Sequence, residues 1–502
     1  MRHAVATHLK TGSSPAKASE DPRINNGRPA PVAAEERVRL TPRERLEALC
    51  DPGSLSPIRT QVASRSARSA PGDGVVAGAG AVGGRPVYCY AQDQAFAGGS
   101  LGTAQAETIV RVLELADRAA APVVGYIASG GARIDEGTGA LGGYGAIFRR
   151  HVALSGRVPQ ISVITGTSAG GGAYSPALTD FVVMVEGSRL FLTGPGVVEE
   201  VMGESVSMDE LGGTRVHSRN GVCDLVASDE LVAAELVREL LGHLPQSSSR
   251  PPDPILPEEP LGRDPGTVVP DDPRQVYDVR SVIRCLSDRS AMLEISPRWA
   301  RNMATAFVRL NGRPVGVIAN QPHHLGGAID AAASEKAASF IRRCDAFGLP
   351  LVVLVDTPGF LPGTKQEANG VIRHGAGLLH AFSAARVPKV TVVLRKAYGG
   401  GFITMNSRQL GADMIFAWPS AEIGVLGAKQ AVGIVHRRAI DAADDPDAEH
   451  DRLAAAYAED NLRAEIAAAG GDVDEVIEPT GTRERLVWAL AALDGVDNGR
   501  RR

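Results

Sequence analysis

Residues 157–172 of this 502-residue chain are Arg157-Val-Pro-Gln-Ile-Ser-Val-Ile-Thr-Gly-Thr-Ser-Ala-Gly-Gly-Gly172. Residues 386–401 repeat the pattern as Arg386-Val-Pro-Lys-Val-Thr-Val-Val-Leu-Arg-Lys-Ala-Tyr-Gly-Gly-Gly401. Each segment is a short apolar run that ends in three glycines, which is typical of a buried parallel strand leading into a helix. Gly170–Gly172 is called the first glycine turn below, and Gly399–Gly401 the second.

The similarity extends beyond these two segments, so the two halves of the chain are related by duplication. Matches at one common spacing are Gly84-Arg85-Pro86-Val87 with Gly312-Arg313-Pro314-Val315, Gly98-Gly99 with Gly326-Gly327, Glu107 with Glu335, Asp117 with Asp345, and Pro122 with Pro350. This many matches in one register predict an internal repeat of about 200 residues.

The repeat predicts the fold class and the domain boundaries. Helical segments (103–119, 332–347) alternate with apolar strands (122–127, 350–355), which predicts an α/β fold with a parallel or mixed sheet. The predicted segments are a disordered arm (1–36), an N-terminal domain (37–247), a proline-rich linker (248–275), a C-terminal domain (276–490) and a tail (491–502). Locally, Thr41-Pro42-Arg43-Glu44 predicts a helical capping box, and Asn311-Gly312 a type I′ hairpin turn.

Composition disfavours several classes of function. The chain is 44% apolar and 22% charged with a net charge of −5, which gives no reason to expect a nucleic-acid partner. It has no apolar run of the roughly 18 residues that a membrane helix needs and no signal-peptide core, so we expect a cytoplasmic protein. The five cysteines include no CxxC pair, so we expect neither a metal site nor a disulfide framework.

The two glycine turns are the strongest candidates for chemistry. Glycines at a helix start leave backbone N–H groups unobstructed, and two adjacent N–H groups that point at one atom form an oxyanion hole. The alternative, that the glycines only permit close packing of helix on strand, stays open, although duplication of the turn disfavours it.

A second interpretation of the first turn is nucleophilic catalysis. Gly166-Thr-Ser168-Ala-Gly170 fits the nucleophile elbow of serine hydrolases at a strand-to-helix turn. The second half has Ala397 at the position of Ser168, whereas the glycines persist. A serine hydrolase using Ser168 is therefore a lesser alternative.

Several segments resemble the carboxyltransferase (β) subunits of biotin-dependent acyl-CoA carboxylases, which belong to the crotonase superfamily. The strand that runs into Ala169-Gly-Gly resembles the core signature of the superfamily, and Phe96-Ala-Gly-Gly99 resembles its upstream glycine loop. Closer matches to the β subunits are Ser129-Gly-Gly-Ala-Arg-Ile134, Ala173-Tyr-Ser-Pro-Ala-Leu-Thr-Asp180, Asp356-Thr-Pro-Gly-Phe-Leu-Pro-Gly363, Ile372-Arg-His-Gly375 and Arg395-Lys-Ala-Tyr-Gly-Gly400. The resemblance covers residues 40–480 approximately and implies two tandem crotonase-like (ββα superhelix) domains.

The resemblance also implies a division of labour between the halves. Acyl-CoA would lie in the N-terminal domain, where the amides of Gly170 and Gly171 hold the thioester oxygen as the enolate forms. Biotin would lie in the C-terminal domain of a neighbouring subunit, where the amides of Gly400 and Gly401 hold its ureido oxygen. The remaining implied substrate-binding residues are Gly98, Gly99, Gly130, Gly131, Ala132, Arg133 and Ile403.

The implied activity is transfer of a carboxyl group from carboxybiotin to acetyl-CoA or propionyl-CoA. The chain has no ATP-grasp segment and no Met-Lys-Met biotinylation motif, so we expect a biotin carboxylase and carrier (α) partner, with biotin carried by that partner. The resemblance also implies a homo-oligomer, by family a hexamer. Alternatives that stay open are the carboxyltransferase subunit of a biotin-dependent decarboxylase and a non-enzymatic subunit.

This sequence departs from the family pattern at a few positions. Family members selective for propionyl-CoA usually carry Asp at the position of Ile403, so Ile403 predicts a permissive enzyme that favours acetyl-CoA. Ser168, Gly172 and Asp135 also differ from the common family residues, and the usual Asn-Ile-Pro-Leu tail does not follow Asp497. None of these departures removes a backbone donor from the glycine turns.

Overall fold

The computed structural model describes residues 39–64, 70–252, 254–262 and 264–494. The predicted arm (1–36) and most of the predicted tail (from 495 onward) lie outside these residues. Within the described residues, no helix combines the length and the apolar character needed to cross a membrane.

The first half contains a seven-stranded mixed sheet. The strands of this half are β1 (Ser56–Ile58), β2 (Val75–Val82), β3 (Arg85–Gln92), β4 (Val123–Ile127), β5 (Gln160–Ile164), β6 (Thr167–Ala169), β7 (Phe181–Val185), β8 (Arg189–Phe191) and β9 (Leu225–Ala227), of which all but β6 and β8 form the sheet. Its helices are α1 (Pro42–Leu49), α2 (Thr103–Ala119), α3 (Thr138–Leu154), α4 (Gly171–Ala177), α5 (Pro195–Met202), α6 (Met208–Gly212), α7 (Thr214–His217) and α8 (Glu230–His243). The sheet order is β1-β2-β3-β4-β5-β7-β9, and β6 pairs with β8 separately.

The second half contains an eight-stranded sheet. Its strands are β10 (Leu293–Glu294), β11 (Met303–Leu310), β12 (Arg313–Asn320), β13 (Leu351–Thr357), β14 (Lys389–Tyr398), β15 (Met414–Ala417), β16 (Glu422–Gly424) and β17 (Glu475–Val476). Its helices are α9 (Val279–Leu286), α10 (Ala331–Ala346), α11 (Thr364–Ala368), α12 (Val371–Ala384), α13 (Gly399–Thr404), α14 (Ala428–Val435), α15 (Arg437–Asp441), α16 (Pro446–Asn461), α17 (Ala464–Ala469) and α18 (Thr482–Ala492). The order is β10-β11-β12-β13-β14-β15-β17, with β16 beside β14.

Both sheets follow one plan, an antiparallel hairpin followed by parallel strands. The hairpins are β2–β3 and β11–β12, and parallel pairing begins at β3–β4 and β12–β13. The hairpin turns, Gly83-Gly84 and Asn311-Gly312, have positive φ at all four residues, as a type I′ turn requires. The predicted α/β fold class and the predicted turn at Asn311-Gly312 are therefore confirmed.

The first helix begins as its sequence predicts. The Thr41 hydroxyl accepts the Glu44 N–H (3.3 Å), and the Glu44 carboxylate accepts the Thr41 N–H (2.7 Å). This reciprocal pair satisfies two donors that a helix start otherwise leaves open. The buried ion pair of Arg45 with Glu230 (2.9 Å) then attaches α1 to α8.

The two halves share an apolar core. The Phe307 ring on β11 lies 5.9 Å from that of Phe181 on β7 and 5.0 Å from that of Phe340 on α10, between ring centroids. An ion pair of 2.7 Å joins Arg343 of the second half to the buried Asp224 of the first. The connection between the halves is thus a packed interface as well as a chain segment, and the predicted boundaries at 247 and 276 stay a prediction.

Candidate active site

The first glycine turn has a backbone that only glycine adopts easily. Gly170 has φ +55° and ψ −123°, and it precedes α4, which begins at Gly171. A β-carbon on Gly171 would lie 2.6 Å from the Tyr144 ring, and one on Gly172 would lie 2.9 Å from the Ser129 β-carbon. The turn therefore excludes side chains by conformation at Gly170 and by packing at the next two positions.

The second glycine turn repeats this geometry. Gly399 has φ +53°, so it is the structural equivalent of Gly170, and Gly400 corresponds to Gly171. A β-carbon on Gly401 would lie 2.8 Å from the Gly359 α-carbon, whereas one on Gly400 would only touch the Phe360 ring at 3.7 Å. Position 400 is therefore the one place in this turn where a small side chain fits.

Three of the four predicted donors are open, and one is occupied. The Gly170 N–H donates to the carbonyl oxygens of Phe191 (3.2 Å) and Leu192 (3.1 Å), so it already has partners in the fold. Gly171 is the first residue of α4, and Gly400 and Gly401 are the second and third of α13; among the described residues, their N–H groups donate to no side chain and to no carbonyl outside the helices and strands. This is expected of the first residues of a helix, whose N–H groups have no intrahelical partner.

Two glycine loops lie beside the turns. The 3-10 turns Ala97–Gly99 and Leu325–Gly327 have positive φ at all of their residues. A β-carbon on Gly99 would lie 2.3 Å from the Ala128 carbonyl oxygen, and one on Gly327 would lie 2.3 Å from the Asp356 carbonyl oxygen. Each loop therefore contacts the chain where β4 or β13 ends, and the predicted residues Gly98, Gly99 and Gly130 are neighbours.

The predicted CoA segment is partly accessible. Gly130 is exposed, Gly131 and Ala132 are half-buried, and the Gly131 carbonyl accepts the Leu101 N–H at 2.8 Å. Arg133, by contrast, is buried. Its guanidinium donates hydrogen bonds to the carboxylates of Asp73 (3.0 Å) and Glu136 (2.7 Å). Arg133 therefore stabilises the predicted CoA segment from the protein interior.

Ser168 lacks the surroundings of a nucleophile. It is fully buried, and its hydroxyl accepts the Ser129 N–H at 3.4 Å. Among the described residues, no imidazole or carboxylate is hydrogen-bonded to this hydroxyl. An activated serine needs such a base, so the structure does not support the hydrolase interpretation.

A cavity of about 630 Å³ opens beside the second turn. Ile403, which is 49% exposed, lines it together with Gly399, Gly400 and Val425. Asn461 and Asp472 are polar groups in the same lining. The predicted position of Ile403 in a pocket next to the open N–H groups is consistent with this geometry.

Sequence reasoning missed a charged cluster next to the second turn. The buried Asp356 carboxylate pairs with Arg395 (3.0 Å) and lies 3.9 Å from the Lys396 ammonium nitrogen. The Tyr398 hydroxyl donates a hydrogen bond to Glu422. A signal was present in the repeat, because the first half has no charged residue at the equivalents of Asp356, Arg395 and Lys396.

Known proteins that are similar to this chain include carboxyltransferases. A family model described as the carboxyl transferase domain matches residues 33–497. The methylmalonyl-CoA carboxyltransferase 12S subunit of Propionibacterium freudenreichii subsp. shermanii is 46% identical over 461 residues, 90% of this chain and 88% of that protein. The beta5 subunit of a biotin-dependent acetyl-/propionyl-coenzyme A carboxylase of Mycobacterium tuberculosis is 46% identical over 91% of this chain and 87% of its own length.

A solved structure shows the same fold. A transcarboxylase 12S crystal structure, described as a hexamer assembly with methylmalonyl-coenzyme A and methylmalonic acid bound, has a TM-score of 0.88 to this chain. The two are 44% identical, and the match covers 92% of this chain and 90% of the other.

Proposed function

The chain belongs to the carboxyl transferase domain family, and from this membership we infer that it transfers a carboxyl group between biotin and an acyl-CoA. The structural observation that carries the inference is the pair of glycine turns, one in each half, with open N–H groups at Gly171, Gly400 and Gly401. The reaction has two centres that gain negative charge on oxygen, and a duplicated donor site provides for both.

The chain's own contribution is stabilisation of negative charge. As the α-carbon of the thioester loses its proton, the open Gly171 N–H donates to the oxygen of the enolate. Biotin supplies the carboxyl group and a ureido nitrogen that takes up the proton, which leaves no step that needs a side-chain base. Each preorganised donor of this kind lowers the activation free energy by roughly 2.7–4 kcal/mol.

The second turn fits a ureido group. Its N–H groups at Gly400 and Gly401 are adjacent, and Gly400 lines the cavity of about 630 Å³, whereas Gly401, the next residue, is buried. A ureido oxygen accepts two hydrogen bonds, and the missing β-carbons allow its close approach.

Acyl specificity depends on the side chains that line the substrate pocket. We assign acetyl-CoA and propionyl-CoA as substrates, with acetyl-CoA favoured and malonyl-CoA or methylmalonyl-CoA as products. The half-exposed Ile403 supports this assignment, because an apolar side chain in the cavity imposes no polar constraint on the acyl group. A pocket of this kind discriminates one methylene by only about 1–3 kcal/mol.

The assembly and partner follow from the same proposal. Exposed apolar side chains occur in the segments that follow both turns, namely Tyr174, Leu192, Val201 and Met202 after the first and Ile403, Val425, Ile434 and Val435 after the second. An exposed surface of this composition suits burial against another subunit. We assign a cytoplasmic homo-oligomer, a hexamer like that of the 12S structure, which works with a biotin carboxylase and carrier subunit.

Bicarbonate fixation tests the function in its complete form. The chain is mixed with a biotin-carboxylating α subunit, ATP and labelled bicarbonate, and fixation of the label into several acyl-CoAs is followed. We expect incorporation with acetyl-CoA and propionyl-CoA that depends on both proteins. A hydrolase would instead release free CoA, and a decarboxylase, which the similarity does not favour, would require a different partner.

A further inference from the structure

The charged cluster at the second turn is built around one buried carboxylate. Asp356 follows five buried strand residues of β13 and is itself fully buried. Its Oδ2 pairs with the Arg395 guanidinium at 3.0 Å, and its Oδ1 lies 3.9 Å from the Lys396 Nζ. Lys396 Nζ also donates to the Pro273 carbonyl at 3.3 Å. The cluster therefore connects the ends of β13 and β14 with the segment that precedes α9.

This cluster adjoins the backbone that forms the site. The Asp356 carbonyl oxygen lies against Gly327 of the glycine loop, and Gly359, three residues later, lies against Gly401. On β14, Lys396 stands three residues before Gly399. The backbone that carries Asp356 is therefore packed closely against both the loop and the turn.

The first half has the same backbone geometry but no charged side chain at the three equivalent positions. At the positions of Asp356, Arg395 and Lys396 it has Ala128, Gly166 and Thr167. A β-carbon on Gly166 would lie 2.3 Å from the Gln94 side-chain oxygen, so that space is closed. Both halves therefore have the glycine geometry, whereas only the second half has charged side chains at these three positions.

Several groups determine the charge of Lys396. Burial lowers the pKa of Lys396 from its usual value, Asp356 on β13 raises it, Arg395 on the same strand lowers it, and Glu422 on β16 raises it. Tyr398, also on β14, stays a neutral donor, because burial and its hydrogen bond to Glu422 raise its pKa above the usual range. Tyr277, from the segment before α9, faces Asp356 and has its pKa raised by burial.

We propose that Lys396 is a positioning residue for carboxyl transfer, whose ammonium fixes Asp356 and the end of β14 that leads into the second glycine turn. The proposal rests on the function assigned above. The ureido oxygen at this turn gains negative charge when the carboxyl group leaves, and a fixed cation at a half-buried site stabilises it. The first turn has no such cation at the equivalent position, where the chain carries Thr167.

The test measures carboxyl transfer from methylmalonyl-CoA to free biotin by the full-length oligomer. Lys396→Met should lower kcat at least tenfold and leave the KM for methylmalonyl-CoA within about twofold, since that substrate lies in the other half. Lys396→Arg, which keeps the charge, should retain kcat within about threefold. Lys389→Met is the matched control at the opposite end of β14, where the ammonium donates to the Ala385 carbonyl (2.6 Å), and its kcat should stay within twofold.

The pH profile separates a charge effect from a purely structural one. The ammonium is lost as pH rises through its lowered pKa, so the wild-type rate should fall on the alkaline side, and Lys396→Arg should move that limb to higher pH. This comparison needs only two folded proteins, so it decides the matter even where Lys396→Met does not fold. Identical alkaline limbs, or full kcat in Lys396→Met, would overturn the proposal. A wild-type protein without any biotin-dependent transfer would instead overturn the assigned function.

Discussion

Replacing Gly400 with proline isolates the contribution of one backbone donor. Gly400 is the second residue of α13, its N–H is open, and the preceding Gly399 has a positive φ rather than a helical one. Proline clashes with a residue in helical conformation directly before it, but Gly399 is not helical. Proline at 400 therefore removes the N–H without this steric conflict. Loss of one such donor costs about 2.7–4 kcal/mol, so we expect kcat to fall by 10²–10³-fold.

The matched control is Gly400→Ala. Its β-carbon would meet the Phe360 ring at 3.7 Å, which is an ordinary contact, and its N–H is kept. We expect this variant to retain kcat within about threefold. Both variants should bind acyl-CoA as the wild type does, because that site lies in the first half.

The assay follows conversion of methylmalonyl-CoA to propionyl-CoA in the presence of free biotin, by chromatography of the CoA esters. Thermal unfolding and light scattering show whether each variant keeps its fold and assembly. If folded Gly400→Pro works within tenfold of Gly400→Ala, the Gly400 N–H is not a catalytic donor and the second oxyanion site is misplaced.

Three further outcomes are expected. Ile403→Asp should shift the ratio of kcat/KM towards propionyl-CoA without changing biotin turnover; an unchanged ratio would mean that Ile403 only packs the start of the helix. Ser168→Ala should keep most of the carboxyl transfer, because this buried hydroxyl accepts the Ser129 N–H and has no hydrogen-bonded base among the described residues; complete loss in a folded variant would revive nucleophilic catalysis. The active species should be a closed oligomer by light scattering, and an active monomer would contradict a site shared between subunits.

Much of the fold follows from local sequence signals. The helix predicted over 103–119 is α2 (Thr103–Ala119), and the one predicted over 332–347 is α10 (Ala331–Ala346). These helices can be predicted from the sequence because the capping residues, the apolar periodicity and the glycines that mark them all lie within a few residues of one another. The internal repeat also predicts the order of the elements along the chain, because the same helices and strands are predicted in both halves.

The site is less predictable because its contacts are long-range. Arg133 was expected on the CoA surface, yet Asp73, 60 residues earlier, holds it inside the loop. The Gly170 N–H was expected to be open, yet the carbonyl oxygens at 191 and 192 accept it. Neither partner has a sequence pattern that ties it to its donor, so only the folded chain reveals the pairing.

Biotin-dependent carboxyl transfer by the purified chain tests the account most directly. Methylmalonyl-CoA or malonyl-CoA is incubated with the protein alone, with and without free biotin. The carbon–carbon bond to the carboxyl group breaks, the carboxyl carbon bonds to the biotin nitrogen, and the nitrogen's proton passes to the α-carbon. We expect propionyl-CoA or acetyl-CoA to form only when biotin is present. Product formation at the same rate without biotin, or none with biotin from a folded oligomer, would contradict it.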